Sequence, residues 1–532
     1  MRDKRRFLFQ ALLLTAVSLL LRTVGVGAQV YISAHIGAEA VGVSSLIGGV
    51  GGFAVTLALS GIHLGSTRLI SEGIGNHDDS FVHHALICAI GHALLFGFLA
   101  CSLLFFGSSI IGMYWLRDLR TVPSLRLMAI TLPAIALSSC LSGYFVAVRR
   151  VWKSACVQVC EELVRIACTV ILLSRMVANG LESALLALAI ANAIAELSAC
   201  AVLLVLFVFD KRKHFARTKK FPNRTTASTT ARRLLSVTLP VAVAAYARSG
   251  LITLEHMLIP IGLKRSGLNH GASLASYGTL HSMALPVVLF PCALLSSFAG
   301  LLVPEMTEAH VRGDQRHIQY MMEKVFLLTL LFSIGTAGIV LCFSRELGLL
   351  LYGSEQAALY IRVLAPLIPV MYMDSATDAM LKGLGQQVYS MNVNIVDASL
   401  SVLLVWLLLP SLGIWGYVIT IYFTELLNAA LSVARLLMIA NLRPQIGKWV
   451  IRPLGAIVGA TCLTRLIFAF SATRLAMSPV TLIGQMLICC LLYGLLLLML
   501  RSIGRNELGW LFSFIRTDSH NVKTPSNLIN DY

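Results

Sequence analysis

The sequence predicts an all-α protein that crosses a membrane many times, and three observations indicate this fold class. Hydrophobic residues make up 57% of the 532 positions, charged residues make up only 13%, and the mean hydropathy is +0.81. About a quarter of an average soluble domain is charged. Apolar stretches of about twenty residues, enough to cross a hydrocarbon core of about 30 Å, recur along almost the whole chain. These values exclude a soluble protein.

Apolar windows that end at polar residues, glycine or proline predict about fourteen transmembrane helices. The predicted helices are 8–32, 42–69, 82–108, 122–148, 154–176, 182–209, 234–262, 274–303, 323–343, 357–382, 388–409, 413–438, 449–470 and 478–500. The start MRDKRR followed by an apolar run is similar to a secretory signal. The run continues beyond Leu21 without a small-residue cleavage site, so we interpret it as the first helix.

The basic residues predict the orientation of these helices. The formal net charge of +17 comes from short basic runs between helices, such as 2–6, 149–153 and 211–233. The loops on the opposite side carry few basic residues, and 33–40 carries none. By the positive-inside rule, the basic runs and both termini face the cytoplasm. Because these basic residues lie in short runs between apolar segments and form no continuous basic face, a nucleic-acid partner is not expected.

The longest loop divides the chain into two halves. We predict a six-helix bundle over 1–209, a basic linker near anionic lipids over 210–233, and a second six-helix bundle over 234–440. A C-terminal helix pair over 441–500 and a cytoplasmic tail over 501–532 follow. The loops are too short for a soluble catalytic domain, and the motifs GxxxxGK[ST], HExxH and GxSxG do not occur. The sequence therefore favours a transporter over an enzyme.

An internal repeat relates the two halves. The segment LISEGIGNHDD resembles MTEAHVRGDQR, and a shift of 236 residues aligns Glu72 with Glu308, Asp78 with Asp314 and Pro133 with Pro369. Six helices separate the copies, so both copies run in the same direction through the membrane. Such a duplication predicts two bundles around a central cavity, as in transporters that alternate access by rocking one half against the other.

Charged residues at membrane depth in the first half are few. Arg22 lies just before Gly25 and Gly27 on the first helix. It can face the cavity, bond to unwound backbone, or snorkel toward the interface. Glu161 and Arg165 are four residues apart on one helix face, so a structural ion pair is the favoured interpretation for them.

The second half contains more polar groups at membrane depth. Arg248 and Glu255 lie about two turns apart on the seventh helix. Carboxylates and amides on this helix and on the tenth to twelfth helices suit a sodium ion or a transferable proton. These ion-coupling candidates are Glu255, Asp374, Asp378, Asn394, Asp397 and Glu425. His281 lies among Gly278 and Pro286 on a helix predicted to be interrupted. It is either a core histidine or a substrate contact.

Several stretches resemble a known family. The runs LLLRTVGVGAQVYISAHIGAEAVGV, CEELVRI and LVPEMTEA look like the polysaccharide-transporter branch of the multidrug/oligosaccharidyl-lipid/polysaccharide (MOP) flippase superfamily, in particular the stage V sporulation protein B group. MurJ-type lipid II flippases are more distant. The resemblance implies two six-helix bundles, a helix pair at the C-terminus, and translocation of lipid-linked saccharide precursors across the bacterial cytoplasmic membrane.

The resemblance also implies roles for individual residues. Arg22 matches the first-helix arginine that binds pyrophosphate in relatives, and Glu255 stands where relatives often have Asp. Asn394, Asp397 and Glu425 match positions of an ion site on the eleventh and twelfth helices. The chain departs from MurJ-type relatives because its second helix has no arginine in mid-membrane.

The leading hypothesis is a flippase for an undecaprenyl-pyrophosphate-linked sugar, including a peptidoglycan precursor for spore cortex or cell wall. Arg22, Arg248 and His281 are its predicted substrate contacts. Sodium or a proton is the expected coupling ion, no other cofactor is expected, and the protein is expected to be a monomer near cell-wall synthesis enzymes. A cation-coupled multidrug exporter of the same fold is the main alternative, which Glu255, Asp374 and Asp378 keep open. A non-transporting membrane scaffold is the third hypothesis.

Overall fold

A computed structural model describes residues 2–76, 78–215, 227–440, 445–470, 478–500 and 502 of the chain. These residues are 93% helical and contain no strand, as the sequence predicts. Residues 216–226 of the predicted linker, and the predicted tail apart from Ser502, lie outside the described residues. The other positions of the predicted linker, 210–215 and 227–233, belong to the two helices that flank it.

The helices of the first half are all long except one. They are α1 (Arg2–Leu59), α2 (Ile62–Gly75), α3 (Asp79–Ile110), α4 (Val122–Ala147), α5 (Val151–Met176) and α6 (Leu181–Phe215).

The second half is divided into more pieces. Its helices are α7 (Ala227–Arg265), α8 (His270–Gly278), α9 (Leu285–Leu289), α10 (Cys292–Arg312), α11 (Gln315–Cys342), α12 (Ser344–Tyr352), α13 (Glu355–Leu364), α14 (Ile368–Gly383), α15 (Gln387–Leu412) and α16 (Ile414–Ala440). At the C-terminus follow α17 (Arg452–Phe470) and α18 (Pro479–Met499).

Within the described ranges, eleven helical segments are long and apolar enough to cross a membrane. One of them, Leu20–Gly75, has 56 residues, about twice the length that a single crossing needs. Two predicted helices are not among the eleven. The predicted helix 154–176 corresponds to α5, which carries several charged residues, and 274–303 is split into short pieces. The count of fourteen crossings stays a prediction.

Glycine changes the boundaries of the first two predicted helices. The chain stays helical across the predicted loop 33–41, apart from Gly37, where φ is 77° and the helix kinks. The predicted helix 42–69 ends at Leu59 and restarts at Ile62, because Gly61 takes the left-handed conformation with φ of 71°. Left-handed backbone costs glycine little, so both breaks fall where the sequence permits them.

The predicted interruption around His281 is present in the structure. A π-helical turn, Thr279–Ala284, separates α8 from α9, and a second break at Phe290–Pro291 precedes α10. Such π-helical turns occur frequently at functional sites. The sequence analysis does not predict the short helix α12, which lies between α11 and α13.

Helix contacts divide the molecule into two groups with α1 between them. Within α1–α6 the closest neighbours are α3 with α4, α5 with α6, and α4 with α6. In the second half α15 packs on α7 and α16, and α14 packs on α10, α11 and α16. Helices α17 and α18 pack against α11. The first group meets the second where α1 packs on α7, α8 and the π-helical turn.

The internal repeat is present in the structure, with one change of register. The Thr67 hydroxyl donates to the Gly143 carbonyl oxygen (3.1 Å), and the Thr307 hydroxyl donates to that of Gly383 (3.0 Å). The donor and the acceptor of the second bond each lie 240 residues after those of the first bond. The cap residues Asp78 and Asp314, at the starts of α3 and α11, keep the predicted shift of 236.

The predicted alignment of Pro133 with Pro369 is therefore one helical turn out of register with the Thr–Gly bonds of the repeat. The difference of four residues between the two shifts is close to the 3.6 residues of one turn. A four-residue change leaves the apolar face of a helix nearly unchanged, so the sequence pattern does not distinguish the two registers.

Small residues allow α1 and α8 to pack closely. A Cβ atom on Gly278 would lie 2.5 Å from the Ala38 carbonyl oxygen and 2.6 Å from the Gly42 backbone nitrogen. Close approach of this kind requires glycine on both helices. This contact, together with the Ser45–Ser282 contact described below, forms what we call the α1–α8 seam.

An ion network lies beside this seam. Arg120 bonds to Asp118 (2.6 Å) and to Glu39 of α1 (3.1 Å). The Glu39 carboxylate also lies against the first turn of α8, because a Cβ on Gly271 would be 3.2 Å from its Oε2. A helix N-terminus favours negative charge, so Glu39 stabilises the approach of α8 to α1.

Candidate functional site

A cavity of about 840 Å³ lies between the two groups of helices. Its walls come from both halves of α1, from α7, and from the π-helical turn with the start of α9. The lining residues are Arg22, Gly25, Val26, Gln29, Ser44, Ser45, Gly48, Gly49, Gly52, Thr56, Ser249, Ile252, Thr253, His256, His281, Ser282 and Pro286. The glycines of α1 leave room for the cavity, since a Cβ on Gly48 or Gly52 would meet no atom within 4 Å.

The described lining carries many polar side chains but contains no carboxylate. Hydroxyl groups, one amide and two imidazoles supply neutral hydrogen-bonding groups, and Arg22 supplies a positive charge. Among the described residues, Arg22 has no ion-pair partner, and its side chain is exposed. An unpaired guanidinium in a polar cavity suits an anionic ligand, because arginine forms charge-assisted hydrogen bonds to phosphate oxygens.

Hydrogen bonds cross the cavity wall between the two groups. The Thr253 hydroxyl donates to the Gly49 carbonyl oxygen (3.1 Å), and the Thr56 hydroxyl donates to Ser249 Oγ (3.2 Å). The hydroxyls of Ser45 and Ser282 are in direct contact. These bonds join α1 to α7 and to the π-helical turn, so the walls hold together at the edge of the cavity.

His281 lines the cavity as part of an aromatic cluster. Its ring stacks on Tyr277 (centroids 5.2 Å apart, 11° between planes) and meets His256 of α7 edge-on (4.5 Å, 69°). His281 is therefore neither isolated nor a hydrogen-bonded core histidine. Its Nδ1 is buried and has no hydrogen-bond partner in the described structure.

Helix α7 presents two different polar faces. Ser249, Thr253 and His256 line the cavity. Glu255 instead faces α15, where it lies close to Ser401 and to Asp397. Arg248 does not line the cavity. Its charge acts on Asp397 and Asp374, which places it with the carboxylates behind α7.

The structure brings four predicted ion-coupling residues together in the second half of the chain. Glu425 of α16 interacts electrostatically with Asp374 of α14 and Asp397 of α15, and Glu255 completes the set, which we call the acidic cluster. Asn428 donates a long hydrogen bond of 3.4 Å to Asp374 Oδ2. The described residues contain no group of three His, Cys, Asp or Glu side chains close enough to hold a metal ion.

The other two ion-coupling candidates have local partners. Asp378 pairs with Lys382 at 2.5 Å and accepts a hydrogen bond from Ser390. The Asn394 amide donates to the Ser390 carbonyl oxygen at 2.8 Å. The structure therefore places both beside Ser390, bonded within the second half of the chain.

The pair formed by Glu161 and Arg165 is part of a larger cluster. Arg165 bonds to Glu161, to Glu162 (2.6 Å) and to Glu196 of α6 (3.6 Å). The cluster is behind α1, since a Cβ on Gly25 would lie 3.9 Å from Glu162 Oε1. The sequence analysis did not include Glu196, because its partner lies on another helix.

Most cavity residues were absent from the sequence-based candidates. Serine, threonine and glutamine at membrane depth also bond to the backbone of their own helix, so their presence in an apolar run indicates little by itself. One signal was available. Ser249, Thr253 and His256 have the spacing i, i+4 and i+7 on α7 and define a polar stripe.

Comparisons with known proteins agree with this architecture. The family model described as "Polysaccharide biosynthesis protein" matches residues 8–310, and the MatE model matches residues 266–407. Stage V sporulation protein B of Bacillus subtilis (strain 168) is 26% identical over 511 residues, covering 95% of this chain and 97% of that protein.

Solved structures share the fold at low identity. The lipid II flippase MurJ in an inward closed conformation matches with a TM-score of 0.62 and 14% identity, over 95% of this chain and all of that chain (100%). An inward-facing multidrug transporter of the MATE family matches with a TM-score of 0.64 and 13% identity, over 81% of this chain and 98% of that chain. The eleven candidate membrane helices, together with this shared fold, make the protein a multi-pass membrane protein. The chain thus belongs to the polysaccharide biosynthesis protein family of the MOP flippase superfamily.

Proposed function

We propose that the protein is a flippase for an undecaprenyl-pyrophosphate-linked sugar in a bacterial cytoplasmic membrane. One observation carries this proposal: Arg22 is the single charged residue of the described cavity lining, and the other polar side chains of that lining are neutral. A sugar pyrophosphate needs positive charge for its phosphates and hydrogen-bonding groups for its hydroxyls. The cavity volume of about 840 Å³ suits a polar head group, with the prenyl chain outside in lipid.

Relatives narrow the biological role. The related stage V sporulation protein B carries sporulation in its name, and MurJ is named as a lipid II flippase. We propose a peptidoglycan precursor of spore cortex or cell wall as the cargo. The positive-inside rule supports cytoplasmic termini, and a head group would then enter the cavity from the cytoplasm.

Coupling to an ion follows from the charge balance of the acidic cluster. Four carboxyl groups, Glu255, Asp374, Asp397 and Glu425, face one guanidinium, that of Arg248. Unpaired carboxylates are costly in the membrane interior, so some of them need protons or a cation. A proton or a sodium ion would supply this positive charge.

A multidrug exporter is the alternative that the shared fold permits. Cationic drugs would need carboxylates or exposed aromatic faces in the cavity. The carboxylates of the acidic cluster lie on the far side of α7 from the described cavity lining, and Arg22 would repel a cation. We therefore propose the lipid-linked sugar as the substrate class.

The test is transport of a defined lipid-linked sugar in proteoliposomes. Arg22→Ala should reduce transport by about 10- to 150-fold, which corresponds to one charge-assisted hydrogen bond of about 1.5–3 kcal/mol. Arg22→Lys should retain part of the activity. Arg126→Ala is the matched control, because Arg126 is an exposed arginine of α4 that lies away from the cavity, bonds to Ser108 and Ser109 and contacts the Phe105 ring.

Two results would contradict the proposal. Transport unchanged in Arg22→Ala, at equal protein levels, would remove the role of Arg22 in substrate binding. Efflux of a cationic dye without movement of any lipid-linked sugar would instead favour the exporter.

A further inference from the structure

The pair His256 and His281 lies where the cavity meets the seam between the two groups of helices. His256 belongs to α7 and His281 to the π-helical turn, and the two rings meet edge-on with centroids 4.5 Å apart. Ser282, next to His281, touches Ser45 of α1, and Gln29 Nε2 donates to the Ser282 carbonyl oxygen (3.4 Å). The histidines are therefore at the surface where α1 closes on the second group.

Both imidazoles are built into this surface as neutral groups. The Nδ1 atoms of His256 and His281 are buried and have no hydrogen-bond partner among the described residues. A Cβ on Gly49 would be 3.2 Å from His256 Nδ1, so the backbone of α1 covers that nitrogen. A charged imidazole carries N–H on both nitrogens, and a buried N–H without an acceptor is unfavourable. Two positive rings at this spacing would also repel each other.

The neighbouring groups do not stabilise a charge on the pair. On α8, Tyr277 stacks on His281, is 0% exposed, and has a buried hydroxyl without a partner. Glu255 of α7 and Tyr417 of α16 interact electrostatically with Tyr277, behind the pair.

The remaining elements around the pair supply little charge. Helix α13 meets the π-helical turn through the apolar contact of Ala357 with Met283, and α1 presents Gly49 and Ser45. Arg22 is the single charged side chain of the described cavity lining, and its charge is positive, so it does not stabilise a protonated imidazole. The closed seam thus favours the neutral form of both rings.

We propose that His256 and His281 bind a proton when the α1–α8 seam opens and release it when the seam closes, so that closure of the seam depends on pH. An imidazole of the pair binds a proton from water on its free nitrogen when α1 separates from α7 and the π-helical turn. The same proton returns to water when the seam closes. This inference rests on the proposed function for its role in transport. The histidine proposal differs from the proposed function because it places the proton on the cavity wall, apart from the acidic cluster.

The direction of the pH dependence follows from these charge states. A hydrated imidazole titrates near pH 6.5, whereas the closed seam holds the ring neutral, so closure is favoured above about pH 6.5 and is lost as the pH falls. Each pH unit below that value lowers the closed-to-open ratio by about tenfold for one imidazole. Between about pH 8 and about pH 5 the ratio should therefore fall by about thirtyfold.

A bridge between the two seam serines measures this ratio. In Ser45→Cys/Ser282→Cys protein in liposomes, a short bis-methanethiosulfonate reagent should bridge the two thiols when the seam is closed. Mass spectrometry of the 45–282 peptide pair separates this bridge from products of the twelve native cysteines. The rate should fall from about pH 8 to about pH 5 by much more than in the same protein with His256→Gln/His281→Gln.

The glutamine background is the control for thiol chemistry, because thiols themselves react more slowly at low pH. If the pH 8 to pH 5 ratio of rates is the same in both backgrounds, within about twofold, the proposal is wrong. Absence of a bridge at any pH in the histidine background also contradicts it. If the double variant does not fold, His281→Asn alone should show the smaller pH ratio.

This measurement is independent of transport because it needs no substrate. Failure of lipid-linked sugar transport would contradict the flippase proposal and leave the pH-dependent bridge unchanged. Conversely, an equal pH ratio in both backgrounds would contradict the histidine proposal and leave the Arg22 result unchanged.

Discussion

The contact between α1 and α8 predicts a substitution that should hold the seam open. Gly278→Ala would place a Cβ atom 2.5 Å from the Ala38 carbonyl oxygen, 2.6 Å from Gly42 N and 2.9 Å from Gly42 Cα. All three atoms belong to the backbone of α1, so no side chain can rotate away. Ordinary contacts for a Cβ begin at 3.4 Å, which means that the helices must separate by about 1 Å.

The cost falls on the closed state alone. Overpacking of a tight helix contact costs about 1–3 kcal/mol, whereas the methyl group meets no obstacle once the helices part. The gain in helix propensity from glycine to alanine, up to about 1 kcal/mol, is the same in both states and cancels. The closed-to-open ratio should therefore fall by about 5- to 150-fold.

The bridge between Ser45→Cys and Ser282→Cys measures this change, since both positions lie about one turn from the Gly42–Gly278 contact. Gly278→Ala should slow bridge formation at about pH 8, where the seam is otherwise favoured. Gly91→Ala on α3 is the matched control, because its Cβ would meet nothing within 4 Å. An unchanged rate in a folded, monodisperse Gly278→Ala protein would refute the assignment of this contact as a closing surface.

The remaining predictions concern the acidic cluster and the ion network beside the seam. Glu255→Gln should abolish the dependence of transport on a proton or sodium gradient, and an unchanged gradient dependence in proteoliposomes would exclude this carboxylate from coupling. Burial acts to raise the pKa of Asp118, but hydrogen bonds and charge from Arg120 outweigh it and lower the pKa below 3.8. The ionised Asp118 carboxylate therefore stabilises the folded protein above about pH 4, and this stabilisation is lost as the pH falls through the lowered pKa. Over this acidic range, the thermal unfolding midpoint should fall more in the parent protein than in Asp118→Asn. An equal change of the midpoint with pH in both proteins would contradict this prediction.

Apolar length and the position of charge predicted much of the fold. A hydrocarbon core requires long apolar helices, so the fold class follows from local composition, without tertiary information. The ion pair of Glu161 with Arg165 followed for a similar reason, because residues four apart on a helix face each other. The contact of Glu196 with Arg165 could not be predicted in this way, because Glu196 lies on a different helix.

The residues of α7 mark the limit of sequence reasoning most directly. Arg248, Glu255 and His256 lie within nine positions, and their residue types predicted a substrate contact for the arginine and an ion ligand for the acid. The structure places Glu255 and Arg248 with Asp397, toward α15, and His256 on the cavity wall. The spacing of residues fixes which of them share a face, whereas only packing decides what that face meets.

By itself, the sequence determined the helical membrane fold, the repeat and the set of charged residues at membrane depth. These features depend on periodicity and on the cost of charge in lipid, which act within single helices. Tertiary structure decided the register of the repeat, the separation of the cavity from the acidic cluster, and the closeness of His256 to His281. Each of these depends on how helices distant in sequence approach one another, and residues such as Gly42 and Gly278 set that approach through their missing side chains.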